Sequence, residues 1–197
     1  MQTPSVSVKS AFYLMCVIWL LPVLVFARAL KPLEVEKTLA EHFEPQSHYV
    51  AQNLRYAPFE QLRQQVESRL KIELKNRGEA HITVITPPEW ALLSQKLLMS
   101  EVNAWAEAAA LHHSPYVPLC VGRFHKGHQS TYYVVVESPA LLEFREKLKA
   151  EFTKRGGTGD FEPTHFKPHV TLGFTQRDLH EQDGAVKDAS SCWMRWN

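Results

Sequence analysis

The chain has 197 residues, of which 45% are hydrophobic and 22% charged, and its formal net charge is +1. That composition fits one globular domain and excludes a disordered or fibrous protein. The near-neutral balance also argues against a broad basic surface that would grip duplex nucleic acid, so a nucleic-acid partner is expected to be small or held locally.

The first segment does not read as part of that domain. Lys9 precedes the uncharged run "AFYLMCVIWLLPVLVF" at 11–26, and Ala27-Arg28-Ala29 follows it. A basic start, an apolar run and a small-x-small site are the marks of a secretory signal peptide. The run falls short of the roughly 20 apolar residues that a stable membrane span needs. Cleavage after Ala29 is therefore expected, with an uncleaved signal anchor as the alternative. On this reading the protein is secreted, periplasmic or in the lumen of the secretory route, with no stable membrane span after cleavage. Residues 30–197 then form the domain, long enough to bury a sizeable core. Removing Lys9 and Arg28 leaves 20 basic side chains against 21 acidic ones.

Residues 32–43, "PLEVEKTLAEHF", read as a short amphipathic helix opened by Pro32. Leu62, Val66, Leu70 and Leu74 recur every four residues and predict a helix over 58–76, with Gly78 as its stop. "AHITVIT" alternates and is β-branched, so it predicts a strand that Pro87-Pro88 ends. The stretch to His112-His113 predicts one long helix, or two broken near Ser100. "YVPLCVGRF" and "STYYVVVES" read as strands joined around Gly127 as a hairpin. "PALLEFREKLKAEFTKRG" is patterned as a helix with Pro139 in its first turn and Gly156-Gly157 past its end. "HVTLGFT" is the last predicted strand, and the tail from Gln176, ending in Trp193 and Trp196, is expected to pack across the body. The fold class is α+β.

Two of these strands share a pattern. Strand side chains alternate faces, so His81 and Thr83 lie on one face of the first, and His169 and Thr171 on one face of the last. At about 3.3 Å per residue, each His stands roughly 6.5 Å from its Thr, a span suited to one phosphate group. If the two strands lie side by side, two imidazoles and two hydroxyls face one cleft. That set suits phosphodiester chemistry without a metal or other cofactor. One neutral imidazole takes a proton from the attacking water or hydroxyl, and the other, protonated, gives one to the departing oxygen. The threonines would hydrogen-bond the non-bridging oxygens, where charge develops.

"HITV" and "KPHVTLGF", 88 residues apart, resemble the two signature motifs of the two-histidine (2H) phosphoesterase superfamily. The resemblance implies a two-lobed α+β fold with pseudo-twofold symmetry and a central cleft, antiparallel sheets around it and helices outside. It implies His81 and His169 as the acid–base pair, Thr83 and Thr171 as phosphate holders, and no metal. The expected substrate is a small nucleotide or RNA-end phosphodiester, either 2′,3′-cyclic or 2′-linked, handled by a monomer. Which histidine is acid and which is base stays open, as does a non-catalytic nucleotide-binding protein on the same scaffold.

Other residues have weaker readings. Tyr132 and Phe166, and beside them Tyr133 and Trp90, are candidates for stacking on a base. His165, Lys167 and Arg123 could add positive charge near the cleft. His125, His128 and Cys120 match no standard zinc spacing, and a solvated hairpin tip is the better reading. Cys120 and Cys192, the cysteines left after cleavage, form one disulfide or remain two buried thiols.

Overall fold

Helices packed against antiparallel sheets make the architecture α+β. The structure is a computed structural model and describes residues 49–196. The expected leader and the helix expected over 32–43 lie outside the described residues. Among the described residues, no helix is long and apolar enough to cross a membrane.

The element order is β1 (Val50–Leu54), α1 (Tyr56–Leu70), β2 (Ala80–Ile85), α2 (Pro87–Leu93), α3 (Met99–Ala108), β3 (Val117–Lys126), β4 (Gln129–Glu137), α4 (Pro139–Lys154), β5 (His169–Phe174) and β6 (Cys192–Arg195). β1 and β2 form one antiparallel sheet, and β5-β4-β3-β6 form the other. The expected hairpin is β3–β4, where Lys126 pairs with Gln129 across a two-residue turn. Gly127 sits in that turn at φ +60, a conformation a side chain would strain.

The helices differ from expectation mainly at their ends. α1 buries Phe59, Leu62 and Val66 but stops at Leu70, with Lys71 left-handed at φ 55. Leu74 is buried as its spacing implied, yet outside the helix, and the next residue pairs with another strand. The Glu67 carboxylate secures this change of direction, accepting from the Leu74 N–H at 2.8 Å and from Arg63 at 2.7 Å. Pro87-Pro88 opens a helix as well as ending a strand. Thr86 and Glu89 cap α2 reciprocally, and a break over 94–98 separates it from α3. In α4, Ser138 is the N-cap, and Leu141, Phe144, Leu148 and Phe152 face the core.

The four-stranded sheet has two different faces. Val121, Tyr132, Val134, Val136, Val170, Leu172 and Met194 join the main core with the helices. Cys120, Tyr133 and Val135 form a smaller cluster with Leu119, Phe124 and Cys192. Cys120 and Cys192 are joined there as a disulfide, tying β3 to β6.

The two sheets meet along β2 and β5, which approach within 8 Å, Cα to Cα. No ladder joins these two strands. The hydrogen-bonded link is made instead by Lys75, just before β2, which exchanges two backbone bonds of 2.9 Å with Phe174. A Cβ on Gly173 would stand 2.8 Å from the Lys75 oxygen, so this approach needs a residue without one.

Arg145 of α4 braces the same region from the core and is 1% exposed. Its guanidinium donates to Val84 O at 2.7 Å, Pro163 O at 2.9 Å and the Glu89 carboxylate at 2.7 Å. The rings of Phe161 and Phe166 each lie 4.9 Å from it. β2 and the chain leading into β5 are thereby fastened to one buried cation.

Candidate active site

The β2 side chains alternate, with Ala80, Ile82 and Val84 buried and His81 and Thr83 partly exposed on the other face. His81 Nδ1 lies 3.6 Å from the Glu79 carboxylate, and its ring centroid lies 6.1 Å from that of Tyr49. Burial lowers the proton affinity of His81, and the Glu79 charge opposes that effect.

On β5, Val170 and Leu172 enter the core while His169 and Thr171 face outward. Their cross-strand partners on β4 are Val135 and Tyr133. His169 Nδ1 lies 2.8 Å from Lys167 O. A carbonyl only accepts, so Nδ1 carries the hydrogen and Nε2 keeps its lone pair. The Tyr133 ring meets the imidazole edge-on at 5.7 Å. Burial, followed by the nearby Lys187 ammonium, holds the His169 pKa down to about 3.

The strands bring two of the four motif residues, one from each, into one recess, and Thr83 and His169 do not line it. His81 and Thr171 line one recess of about 20 Å³ with Asn76, Arg77, Glu79 and Leu172. His81 is also close enough that its charge acts against protonation of His169. Thr83 shares the His81 face one alternation further along β2. The recess has room for little more than a water, so a phosphate would sit at its mouth with the rest of a substrate outside.

An unforeseen polar group lies behind Thr171. The Thr171 hydroxyl donates to Asp178 Oδ2 at 3.4 Å, and Lys187 Nζ donates to Asp178 Oδ1 at 3.1 Å. Arg77 stands 3.7 Å and His180 3.9 Å from the same carboxylate. Lys187 and Asp178 are almost fully buried, with side chains 5% and 6% exposed. Burial lowers the Lys187 pKa while Asp178 resists that shift. The Lys187 ammonium also lies 5.4 Å from the centroid of the Tyr133 ring. Sequence reasoning missed this group by reading the tail from Gln176 only as packing. The one hint was a lysine between Ala185-Val186 and a second acid, Asp188.

The stacking expectations need correction. Tyr132 is 3% exposed in the main core, its ring 5.7 Å from Trp193, and it points away from the His169 face. The alternation that aims Tyr133 at the site turns Tyr132 inward. Trp90 is buried too. Phe166 stacks on Arg145 and borders a separate cavity of about 380 Å³ with Leu119, Val135, Pro168 and Lys187. His125 bonds Ser130 in the hairpin, and Cys120 is held in the disulfide. Arg123 lies over Trp193, and Lys167 pairs with Glu181 at 3.3 Å.

A family model described as the Swiss Army Knife 2H phosphoesterase domain matches residues 48–180, about two thirds of the chain. The matched span contains both His-x-Thr strands and Asp178, and ends before Lys187. No curated protein and no solved structure gives a match.

Proposed function

Because the chain belongs to the 2H phosphoesterase family, we propose that it hydrolyses a small cyclic or 2′-linked phosphodiester, with His169 as general base and His81 as general acid. The family membership itself marks a phosphoesterase-type hydrolase. The observation that carries the finer reading is the unlike state of two neighbouring imidazoles, His81 lining the recess and His169 close enough to feel its charge. His169 Nε2 has a free lone pair, its tautomer fixed from behind by Lys167 O. An imidazole so buried beside Lys187 resists protonation, so it meets the substrate able to accept a proton. Burial lowers His81 as well, but the Glu79 carboxylate at 3.6 Å opposes that shift, so of the two imidazoles His81 holds a proton more readily, which suits the partner that donates to the departing oxygen.

In the proposed reaction, a water at His169 loses a proton to Nε2 as its oxygen attacks phosphorus. The bond to the leaving oxygen breaks opposite the attack, and His81 delivers its proton there. Thr83 and Thr171 would hold the non-bridging oxygens. The Thr171 hydrogen bond to Asp178 is long, so the hydroxyl can redirect its hydrogen bond to a phosphate oxygen at little cost. The expected leader and the Cys120–Cys192 disulfide together support action in an oxidising compartment of the secretory route.

The test is turnover of 2′,3′-cyclic nucleotides and 2′-5′ dinucleotides by the purified protein in EDTA, beside His81→Ala and His169→Ala. Turnover lost in both variants is the expected result. Turnover that needs an added metal, or that survives both substitutions, would overturn the mechanism. Tight nucleotide binding with no turnover would instead mark a binding protein.

A further inference from the structure

The acid–base pair and the threonines leave one buried group of the site unused. Lys187 is an ammonium in the interior, and a lysine is rarely buried so fully without a reason beyond packing. It is not a free-standing ion pair, because the carboxylate that pairs with it also accepts from Thr171 and faces Arg77, so the group as a whole keeps positive charge. Its second neighbour, Tyr133, is the residue that lies edge-on against His169. Lys187 thus reaches both polar residues of β5, the hydroxyl through Asp178 and the imidazole across Tyr133.

We propose that Lys187 and Asp178 are a positioning pair for this reaction. Asp178 holds the Thr171 hydroxyl in the free site and releases its hydrogen bond to the substrate, and Lys187 supplies a standing positive charge beside His169 that a phosphodiester anion offsets on binding. This rests on the phosphoesterase reading above.

The charges around His169 come from each element packed on it. Lys187 and Asp178 come from the segment after β5, His81 from β2, and Lys167 contributes its carbonyl. Burial is the first reason the unliganded site discourages protonation of the imidazole, and the Lys187 charge adds to it while Asp178 opposes it. An arriving phosphate anion offsets that charge, and the imidazole becomes a stronger base at the moment it has a proton to take. Proton affinity and substrate occupancy are then coupled. Arg77 and His180 also face Asp178, and they keep the carboxylate partnered when Thr171 turns to the substrate.

The experiment is histidine-labelled NMR titration of the full chain, free and with inorganic phosphate, paired with pH-resolved kinetics. In the wild type, His169 should stay unprotonated well below neutrality, and phosphate should raise its midpoint. Lys187→Met should raise the free midpoint by about one pH unit or more and reduce the further rise caused by phosphate. It should also raise KM about tenfold with a smaller change in kcat. Lys187→Arg should restore most of both. If Lys187→Met leaves Asp178 too poorly paired to fold, the double variant Lys187→Met with Asp178→Asn removes both charges, and the His169 midpoint should rise less but still rise. An unmoved midpoint in either variant, with only thermal stability lost, would overturn the proposal. The titrations need no turnover, so an inactive wild type with the expected titrations would count against the hydrolase reading alone. An active wild type with an unmoved midpoint would count against Lys187 alone.

Discussion

β2 and β5 carry the same four-letter pattern and build opposite surroundings from it. β2 belongs to a two-stranded sheet, and its His81 sits beside an exposed loop with Glu79 as its charged neighbour. β5 is the edge of a four-stranded sheet, with His169 pinned by a backbone carbonyl, flanked by Tyr133 and backed by a buried cation. A motif therefore supplies the reagent, and the sheet that displays it supplies the reagent's protonation state. Two identical histidines can differ in proton affinity because one is held and the other is left adaptable.

The largest effects should come from removing either imidazole. His81→Ala and His169→Ala should each lower kcat/KM by about 10³-fold, within the range for general acid–base catalysis. The comparison sharpens in their pH profiles. With both imidazoles lowered from their ordinary value, kcat/KM should peak on the acidic side and fall as pH rises past the His81 value, which lies below 6.5. In the residual activity, His81→Ala should lose the alkaline limb and His169→Ala the acidic one. Reversed limbs would reverse the assignment of acid and base.

Next comes stability. His169 titrates near 6.5 when unfolded and is lowered to about 3 when folded, so the unfolded chain binds more protons between those values. Its contribution is present above pH 6.5 and is lost as pH falls toward 3. Allowing for the partial exposure of the ring, that loss is about 2–4 kcal/mol. Denaturant melts should show the acid sensitivity reduced in His169→Gln, and less so in His81→Gln. Equal reductions would break the comparison.

Smaller effects should follow from the hydroxyls. Thr171→Val should cost about tenfold in kcat/KM, and Thr83→Val less, because only Thr171 is oriented by a buried carboxylate. Gly173→Ala should destabilise by about 1–3 kcal/mol, since its methyl would press on Lys75 O and loosen the link between the sheets. Activity should fall with it as His81 and Thr171 separate. Full activity in a destabilised Gly173→Ala variant would show that the bridge does not set the site.

Much of this was legible in the sequence because it is local. Alternation in "HITV" and "HVTL" gave each motif its outward face, and the hairpin and α4 announced themselves through Gly127, Pro139 and their periodicity. β1 and β6 were not legible. "VAQNL" and "CWMR" are too short and too mixed to show a period, and tertiary pairing makes them strands. α1 ended early because Lys71 adopts a conformation usually left to glycine, and the pull of β5 on Lys75 cannot be seen from residue 71. Thr171 was legible, but its partners Asp178 and Lys187 depend on how an irregular tail folds back. Tyr132 and Tyr133 show the limit of reading by type: two adjacent tyrosines, one step of the strand apart, fall on opposite faces of the sheet.

The Cys120–Cys192 bond has a consequence for the chain as a string. Its ends lie 72 residues apart in sequence, and the ring it closes contains β4, α4, β5 and the tail that delivers Asp178 and Lys187. β2 lies outside that ring. In the chain-entropy picture, closing a ring of that size is worth about 4 kcal/mol, all of it from confining the unfolded coil. The half that carries His169 is thus kept near itself even when unfolded, while the half that carries His81 is an open strand that must find it anew. Loss of native structure should begin outside the ring, with His81 leaving His169.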